Sequence, residues 1–234
     1  MIIDVALNPA EIALLPKRDL GDTTCVVFDI LRATSSMITA LANGAEEIHP
    51  VTTLEEAFAL KKDLPGARLA GERQGERPNG FDYGNSPLEF RNARGAKLIW
   101  TTTNGTIALK ACEHAERVLV GALLNITALH EEIQWAEPER ILLVCAGTFE
   151  SFALEDAYAA GVLISEFPEA ELTDAARAAL ATSKLYPKSI DALRAARNGQ
   201  ALVRKGREAE VEWCAKVSAY NVGAFMDGSI VRSF

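Results

Sequence analysis

Short apolar runs alternate with amphipathic stretches along most of the chain. Apolar runs bounded by turn residues are typical of buried strands, whereas apolar residues three and four positions apart predict helices. The predicted strands are Ile2–Leu7, Thr24–Asp29, Glu47–Val51, Arg68–Gly71, Lys97–Thr102, Arg117–Gly121 and Arg140–Ala146, with a last one near Ser229–Val231.

Helix start and stop signals mark several of the amphipathic stretches. Thr53 and Ser86 each precede a Glu three positions later, which predicts capping boxes, and Pro87 occupies the favoured first helical position. Asn43-Gly44 predicts a helix end. The predicted helices are Ser36–Asn43, Leu54–Asp63, Pro87–Asn92, Thr106–Glu113, Ile126–Ala136, Ala153–Ser165, Asp174–Leu185, Ser189–Arg197 and Glu208–Ala219.

This β-α-β alternation predicts an α/β fold, a three-layer α/β/α arrangement with a mostly parallel or mixed sheet. The segment from about 167 to 219 is rich in Ala, Glu, Arg and Lys and predicts a helical C-terminal segment. No Pro/Gly/Ser-rich linker interrupts the chain. We therefore expect one domain spanning residues 1–234.

Composition and charge exclude several classes of partner. The net charge of −8 and the absence of basic clusters argue against a nucleic-acid surface. No run approaches the about 18 apolar residues of a membrane span, and the N-terminus lacks the pattern of a signal peptide. The 4 cysteines form no CxxC pair, which indicates a reducing compartment. We expect a cytoplasmic location, no membrane partner and a small anionic substrate.

Four polar clusters follow predicted strands, where ligands bind in parallel α/β sheets. They lie at residues 29–36, 70–87, 98–106 and 142–157. Together they contain Arg side chains, hydroxyls and carboxylates. Arg guanidinium groups match phosphate or sulfonate oxygens, and carboxylates without His or Cys suit Mg²⁺. The clusters therefore predict phosphoryl chemistry on a small anion.

Several phosphoryl-transfer architectures fail against the sequence. There is no P-loop string, and position 151 is Ser rather than the Arg that a cysteine-dependent phosphatase needs six residues after Cys145. A histidine-rich two-metal site is disfavoured because the chain has only 3 His. The haloacid-dehalogenase pattern also fails, since Leu31 stands where its second acid would be.

Four long motifs together resemble the 2-phosphosulfolactate phosphatase (ComB) family: FDILRATSSMITALANGA, GERQGERPNGFDYGNSPLE, TTTNGTIAL and CAGTFESFALEDAYAAG. The resemblance runs from about residue 26 to 161, in the family's order. It implies a Mg²⁺-dependent hydrolase that converts 2-phospho-3-sulfolactate to 3-sulfolactate, a step toward coenzyme M, on an α/β/α fold particular to the family. A phosphatase of another small phosphorylated hydroxy acid, or a non-catalytic anion-binding protein, stays open.

Residue roles follow from the polar clusters. The nucleophile is either metal-bound water, which we favour, or Asp29 through an aspartyl-phosphate. The C-terminal helical surface could form a homodimer contact. The expected Mg²⁺ ligands are Asp29, Glu72 and Asp156, with Asp82 and Glu155 in reserve; the expected catalytic residues are Asp29, Arg32, Arg73 and Asn104; and the expected substrate-binding residues are Thr34, Ser35, Arg77, Thr103 and Gly105.

Overall fold

A ten-stranded β-sheet forms the centre of the computed structural model, which describes residues 1–234. Its inner strands are buried on both faces, and every residue of Thr23–Phe28 is buried. The strands are β1 (Ile2–Ala6), β2 (Thr23–Phe28), β3 (Glu47–Pro50), β4 (Arg68–Gly71), β5 (Lys97–Thr101), β6 (Arg117–Gly121), β7 (Arg140–Cys145), β8 (Glu171–Leu172), β9 (Ala224–Asp227) and β10 (Ile230–Ser233).

The sheet joins two groups of parallel strands through an antiparallel hairpin. The strand order is β4-β5-β3-β10-β9-β6-β2-β7-β1-β8. The five neighbouring strands β6, β2, β7, β1 and β8 pair in parallel, and so do β4, β5 and β3. The strands β9 and β10 pair antiparallel with each other; β9 also pairs antiparallel with β6, and β10 with β3. Because three antiparallel pairings separate β6 from β3, the two groups run in opposite directions along the sheet. The prediction of an α/β fold with a mostly parallel or mixed sheet is confirmed in its mixed form.

Helices pack against this sheet in the arrangement expected of three layers. The capping box at Thr53 is confirmed, since its hydroxyl accepts from the Glu56 N–H at 3.1 Å and Glu56 accepts from the Thr53 N–H at 3.3 Å.

No helix is both long and apolar enough to cross a membrane. The helices are α1 (Pro9–Ile12), α2 (Ala33–Ala42), α3 (Leu54–Asp63), α4 (Gly105–Ala111), α5 (Ile126–Ala136), α6 (Leu154–Ser165), α7 (Asp174–Leu185), α8 (Ser189–Ala195), α9 (Arg197–Arg204) and α10 (Glu208–Cys214).

Helix α2 starts three residues earlier than its sequence pattern predicts. The Asp29 side chain accepts a hydrogen bond from the Ala33 N–H at 3.1 Å, so it satisfies one of the free donors of the first helical turn. The predicted helix end is correct, because Gly44 follows Asn43 with a φ of 89°. The early start places the hydroxyls of residues 34–36 inside the helix.

The predicted helix Pro87–Asn92 is wrong in type. It is a short 3₁₀ turn, Pro87–Phe90, and Ser86 makes no capping hydrogen bond. The Glu89 carboxylate instead accepts from the Gly84 N–H at 2.9 Å. The glutamate of the expected capping box therefore holds the preceding loop rather than a helix start.

The C-terminal part contains elements that the sequence patterns did not reveal. The predicted helix Ser189–Arg197 ends at Ala195, and a separate helix, α9, follows after Ala196 in extended conformation. The strand predicted near Ser229–Val231 is β10, and its hairpin partner β9 was missed. The helical segment is thus followed by a hairpin that enters the middle of the sheet.

Candidate active site

A small polar cavity lies where the loops after β2, β4, β5 and β7 meet. Its volume is about 90 Å³, and only 2 of its 13 lining residues are hydrophobic. The four polar clusters of the sequence therefore come together, although β4 and β5 run opposite to β2 and β7 in the sheet. The lining residues include Asp29, Arg32, Glu72, Thr103, Asn104 and Asn198.

Asp29 is held at the N-terminus of helix α2 by hydrogen bonds with residues of its first turn. Its backbone N–H donates to the Thr34 hydroxyl at 3.0 Å, and that hydroxyl donates to the Asp29 carbonyl at 3.0 Å. Oδ1 accepts from the Ala33 N–H, while Oδ2 accepts no hydrogen bond from the protein. The carboxylate is therefore fixed by one oxygen and keeps the other for a ligand.

Burial raises the pKa of Asp29 to about 7. The hydrogen bond from Ala33 opposes this rise, the negative charges of Glu72 and Glu155 add to it, and the positive charge of Arg32 reduces it. Several carboxylates therefore share one poorly hydrated region with a single nearby guanidinium.

Gly105 closes the wall behind Asp29. A Cβ at residue 105 would lie 2.6 Å from Asp29 Oδ2 and 2.8 Å from Ala33 Cβ, so any side chain would displace the carboxylate. Gly105 was expected to bind substrate but does not line the cavity. It supports the site by allowing helix α4 to approach Asp29.

Glu72 links the loops after β4 and β5. Its Oε1 accepts from the Thr103 N–H at 2.8 Å, and its Oε2 accepts from the Gly75 N–H at 2.6 Å. At the preceding residue, Gly71, a Cβ would lie 1.9 Å from the Thr101 carbonyl oxygen, so this close approach requires glycine. Glu72 and Thr103 both line the cavity.

Asn104 lines the cavity, but its side-chain amide holds the loop after β7. Nδ2 donates to the carbonyls of Ala146 at 3.1 Å and Phe149 at 2.8 Å, and Oδ1 accepts from the Phe149 N–H at 3.2 Å. Three hydrogen bonds to one loop leave little of this amide for substrate. These contacts give Asn104 a positioning role, and its expected catalytic role stays a prediction.

Arg32 lines the cavity, whereas the two other predicted arginines do not. Arg73 donates to the carbonyls of Glu72 and Thr52 and to the Thr101 hydroxyl. Arg77 is exposed and reaches only the Asp82 carbonyl, at 3.3 Å. Neither side chain reaches this cavity, because the direction of a long side chain is set by tertiary contacts. The expected contacts of Arg73 and Arg77 with the anion stay predictions.

The hydroxyls of Thr34 and Ser35 were also expected to bind substrate. Both residues are fully buried, and Thr34 bonds the Asp29 backbone while Ser35 donates to the Ile30 carbonyl at 2.8 Å. Neither residue lines the cavity. Their hydroxyls stabilise the turn between β2 and α2, because the helix begins before them.

Asp156 sits behind the cavity rather than in it. Its two carboxylate oxygens accept from the Ile30 N–H at 2.8 Å and the Gly147 N–H at 3.0 Å, so it fastens the loops after β2 and β7 together. Burial, with the charges of Glu155 and Asp29, raises the pKa of Asp156 well above its usual range. Its predicted role as a metal ligand is not supported by this placement.

The donor set for a metal is therefore smaller than predicted. No three His, Cys, Asp or Glu side chains form a group that could hold a metal ion. Asp29 and Glu72 remain as oxygen donors that line the cavity, and Asp82 instead accepts from the Leu69 N–H at 2.8 Å. One or two carboxylates with water or substrate oxygens are a common Mg²⁺ environment, so these two residues fit such an ion.

The sequence patterns missed two residues of the C-terminal helices. Asn198 on α9 lines the cavity and donates to the Thr148 hydroxyl at 2.6 Å and to Glu155 Oε1 at 2.9 Å. Glu210 on α10 forms an ion pair with Arg32. Neither residue belongs to a strand-end cluster. The signal that could have identified them is a polar side chain on the buried side of an amphipathic helix.

Known proteins similar to this chain carry a common description. The family model described as 2-phosphosulpholactate phosphatase matches residues 11–227. A protein named "Probable 2-phosphosulfolactate phosphatase" from Carboxydothermus hydrogenoformans is 37% identical over 237 residues, covering 99% of this chain and 97% of its own. Proteins of the same name from Thermotoga petrophila (39% over 211 residues, 87% and 89% covered) and Deinococcus radiodurans (37% over 214 residues, 89% of each covered) are also similar.

These matches extend well beyond the motifs that first suggested the relationship. They include the C-terminal helices that supply Asn198 and Glu210 to the site. The family is named for a phosphatase, which is a phosphoric monoester hydrolase. This is the enzyme class that the sequence motifs implied. The resemblance read from the motifs is confirmed, and the chain belongs to the 2-phosphosulfolactate phosphatase family.

Proposed function

We propose that this protein is a Mg²⁺-dependent phosphatase that hydrolyses 2-phospho-3-sulfolactate to 3-sulfolactate and inorganic phosphate. The observation that carries the proposal is the meeting of Asp29, Glu72 and Arg32 in one small polar cavity. Family membership and the names of the relatives support the substrate. The cytoplasmic location, the homodimer and a place in coenzyme M biosynthesis stay predictions.

Asp29 and Glu72 would hold Mg²⁺ in this proposal. Both side chains line the cavity, both offer oxygen, and Asp29 Oδ2 is free of hydrogen bonds from the protein. The bound cation would supply charge neutralisation for the phosphoryl oxygens and for the neighbouring carboxylates. Asp156 is not part of this set, because it does not line the cavity.

Arg32 would bind the phosphoryl oxygens through directed N–H donors. Two of its five donors are occupied by Glu210 and the Gly75 carbonyl, which leaves others for an anion in the cavity.

In the reaction, a water oxygen bonds to phosphorus, the bond from phosphorus to the sulfolactate oxygen breaks, and that oxygen takes up a proton. The hydrogen bond from the Ala33 N–H keeps the Asp29 carboxylate oriented during this exchange, and the Thr34 hydroxyl holds the Asp29 backbone.

A route through Asp29 itself is the alternative course of the same reaction. Oδ2 would bond to phosphorus while the bond from phosphorus to the sulfolactate oxygen breaks and that oxygen takes up a proton. In a second step a water oxygen would bond to phosphorus, and the bond between Asp29 and phosphorus would break to release phosphate. Acid quenching with a substrate carrying labelled phosphate distinguishes the two. Protein-bound label that is absent from Asp29→Asn would indicate the covalent route.

One observation favours a second candidate substrate class. The proposed substrate carries a phosphate, a sulfonate and a carboxylate, yet Arg32 is the only lysine or arginine among the lining residues. Fewer cationic donors suit a less highly charged substrate. A phosphatase of another small phosphorylated hydroxy acid is therefore the alternative.

Phosphate release from a panel of substrates tests the proposal. The decisive pair is 2-phospho-3-sulfolactate and 2-phospholactate, which lacks only the sulfonate, each assayed with MgCl₂ and after thorough chelation with EDTA. We expect preferential hydrolysis of the sulfonated substrate and loss of activity on chelation. Equal or better turnover of 2-phospholactate would favour the alternative class, activity that survives chelation would contradict the magnesium role, and no turnover of any substrate would indicate an anion-binding protein.

A further inference from the structure

We propose that Glu210 is a positioning residue that holds the Arg32 guanidinium in its anion-binding orientation. This would connect the C-terminal helical segment to catalysis through Arg32. The inference rests on the proposed function, because it takes Arg32 to bind the phosphoryl group.

Arg32 and Glu210 form a buried ion pair beside the cavity. The two residues are only 5% and 9% exposed, and Arg32 Nη1 donates to a Glu210 carboxylate oxygen. Arg32 Nη2 donates to the Gly75 carbonyl at 3.1 Å. Because both terminal nitrogens are engaged, the plane of the guanidinium is fixed, and its remaining N–H donors have a defined direction.

Glu210 is itself held in place by independent contacts of helix α10. The indole N–H of Trp213 donates to the Thr39 hydroxyl at 3.2 Å, and Thr39 lies on helix α2, which starts directly after Arg32. Arg91 and Lys216 lie over the Trp213 ring at 4.6 and 4.0 Å from its centroid. The contact between Trp213 and Thr39 therefore fixes α10 against the helix that follows Arg32.

Stability alone is a poor explanation for this pair. The free energy of removing two charges from water offsets much of their mutual attraction. Replacing such a pair with apolar residues of similar size often leaves a protein equally stable or more stable. A catalytic guanidinium, in contrast, gains from being oriented before substrate arrives. The pair is also neutral overall, so Arg32 would act through aimed hydrogen bonds rather than through excess positive charge.

The same helix provides matched control residues. Glu208 and Glu212 also pair with an arginine, Arg194, at 2.8 and 3.2 Å. Their side chains are about half exposed, at 50% and 56%, and none of the three lines the cavity. Glu212→Ala therefore removes a carboxylate from α10 without touching Arg32.

A double-mutant cycle tests the proposal through kcat/KM and through the affinity for inorganic phosphate, measured by calorimetry. The variants are Glu210→Ala, Arg32→Ala, the double variant and Glu212→Ala. We expect Glu210→Ala to lower kcat/KM about 10-fold or more in the parent protein and less than about 2-fold in the Arg32→Ala background, with Glu212→Ala unchanged. Glu210→Gln, which keeps an acceptor of similar size, should recover part of the loss, and it replaces Glu210→Ala in the cycle if that variant does not fold.

An equal loss in both backgrounds would overturn the proposal, because Glu210 would then act independently of Arg32. No loss in the parent protein would overturn it as well. A parent protein that hydrolyses no phosphosulfolactate would contradict the proposed function instead. In that case the phosphate affinities decide: non-additive effects support the pair, whereas additive effects or an absence of phosphate binding overturn it.

Discussion

Gly105 lies so close to Asp29 that a Cβ at residue 105 would come within 2.6 Å of the Asp29 Oδ2 atom. We expect Gly105→Ala to lower kcat at least about 10-fold, because the carboxylate must move while helix α4 keeps a good helix former. Steady-state kinetics together with a thermal melt check this. Gly21→Ala is the control, since its Cβ would find its nearest neighbour at 3.4 Å, and a similar loss of activity there would argue against a specific effect.

Asp156→Ala should damage the fold as well as the activity. The substitution leaves the buried N–H groups of Ile30 and Gly147 without their acceptor, and each unpaired donor costs about 1–3 kcal/mol. For a chain of this size, a loss of 2 kcal/mol corresponds roughly to a 4–8 °C decrease in Tm. Calorimetric melting measures it, and a Tm unchanged from the parent protein would show that Asp156 does not fasten the two loops.

Neither Arg73→Ala nor Arg32→Ala should discriminate between the sulfonated and the unsulfonated substrate. The Arg73 guanidinium bonds the protein at Thr52, Glu72 and Thr101, so its removal should lower kcat/KM by the same factor for 2-phospho-3-sulfolactate and 2-phospholactate. Arg32→Ala should reduce both activities about 100-fold or more. A selective effect of Arg73→Ala on the sulfonated substrate would restore its predicted contact with the anion.

Glu47 predicts a pH dependence of stability away from the site. Lys97, with His49 and Arg232, lowers the pKa of Glu47 from its usual 4.5 to about 2. Because the folded pKa is depressed, the ionised form contributes stability that is fully present above about pH 4.5 and is lost as the pH falls toward 2.

Glu47→Gln should therefore be less stable than the parent protein at pH 7, on the order of 1 kcal/mol because two of its partners are partly exposed. That difference should shrink at pH 3. Urea unfolding at both pH values measures it. A difference that is constant between pH 7 and pH 3 would show that ionisation of Glu47 is not its source.

The position of the site could be predicted from the sequence, but not all of its side chains. Asp29, Glu72 and Thr103 follow strands, and the rule that ligands bind beyond strand ends located them. Arg73 does not reach the cavity, because sequence does not determine where a long side chain points. Asn198 and Glu210 come from helices far along the chain, and their approach to the cavity depends on tertiary packing.

The fold shows the same division between local and tertiary information. Strand and helix periodicity identified the α/β class, and the Thr53 capping box was read correctly. The early start of helix α2 depends on Asp29, a side chain outside the helical pattern. The β9–β10 hairpin depends on a long-range insertion between β6 and β3, which local periodicity does not encode.

The turnover of Asp29→Asn tests the central claim, that the cavity around Asp29 is the catalytic centre. The substitution keeps the size of the side chain and an acceptor for the Ala33 N–H, so the fold should be retained. We expect kcat for 2-phospho-3-sulfolactate to fall at least about 100-fold while Tm stays within a few degrees of the parent value. A correctly folded Asp29→Asn protein with near-normal turnover would contradict the account.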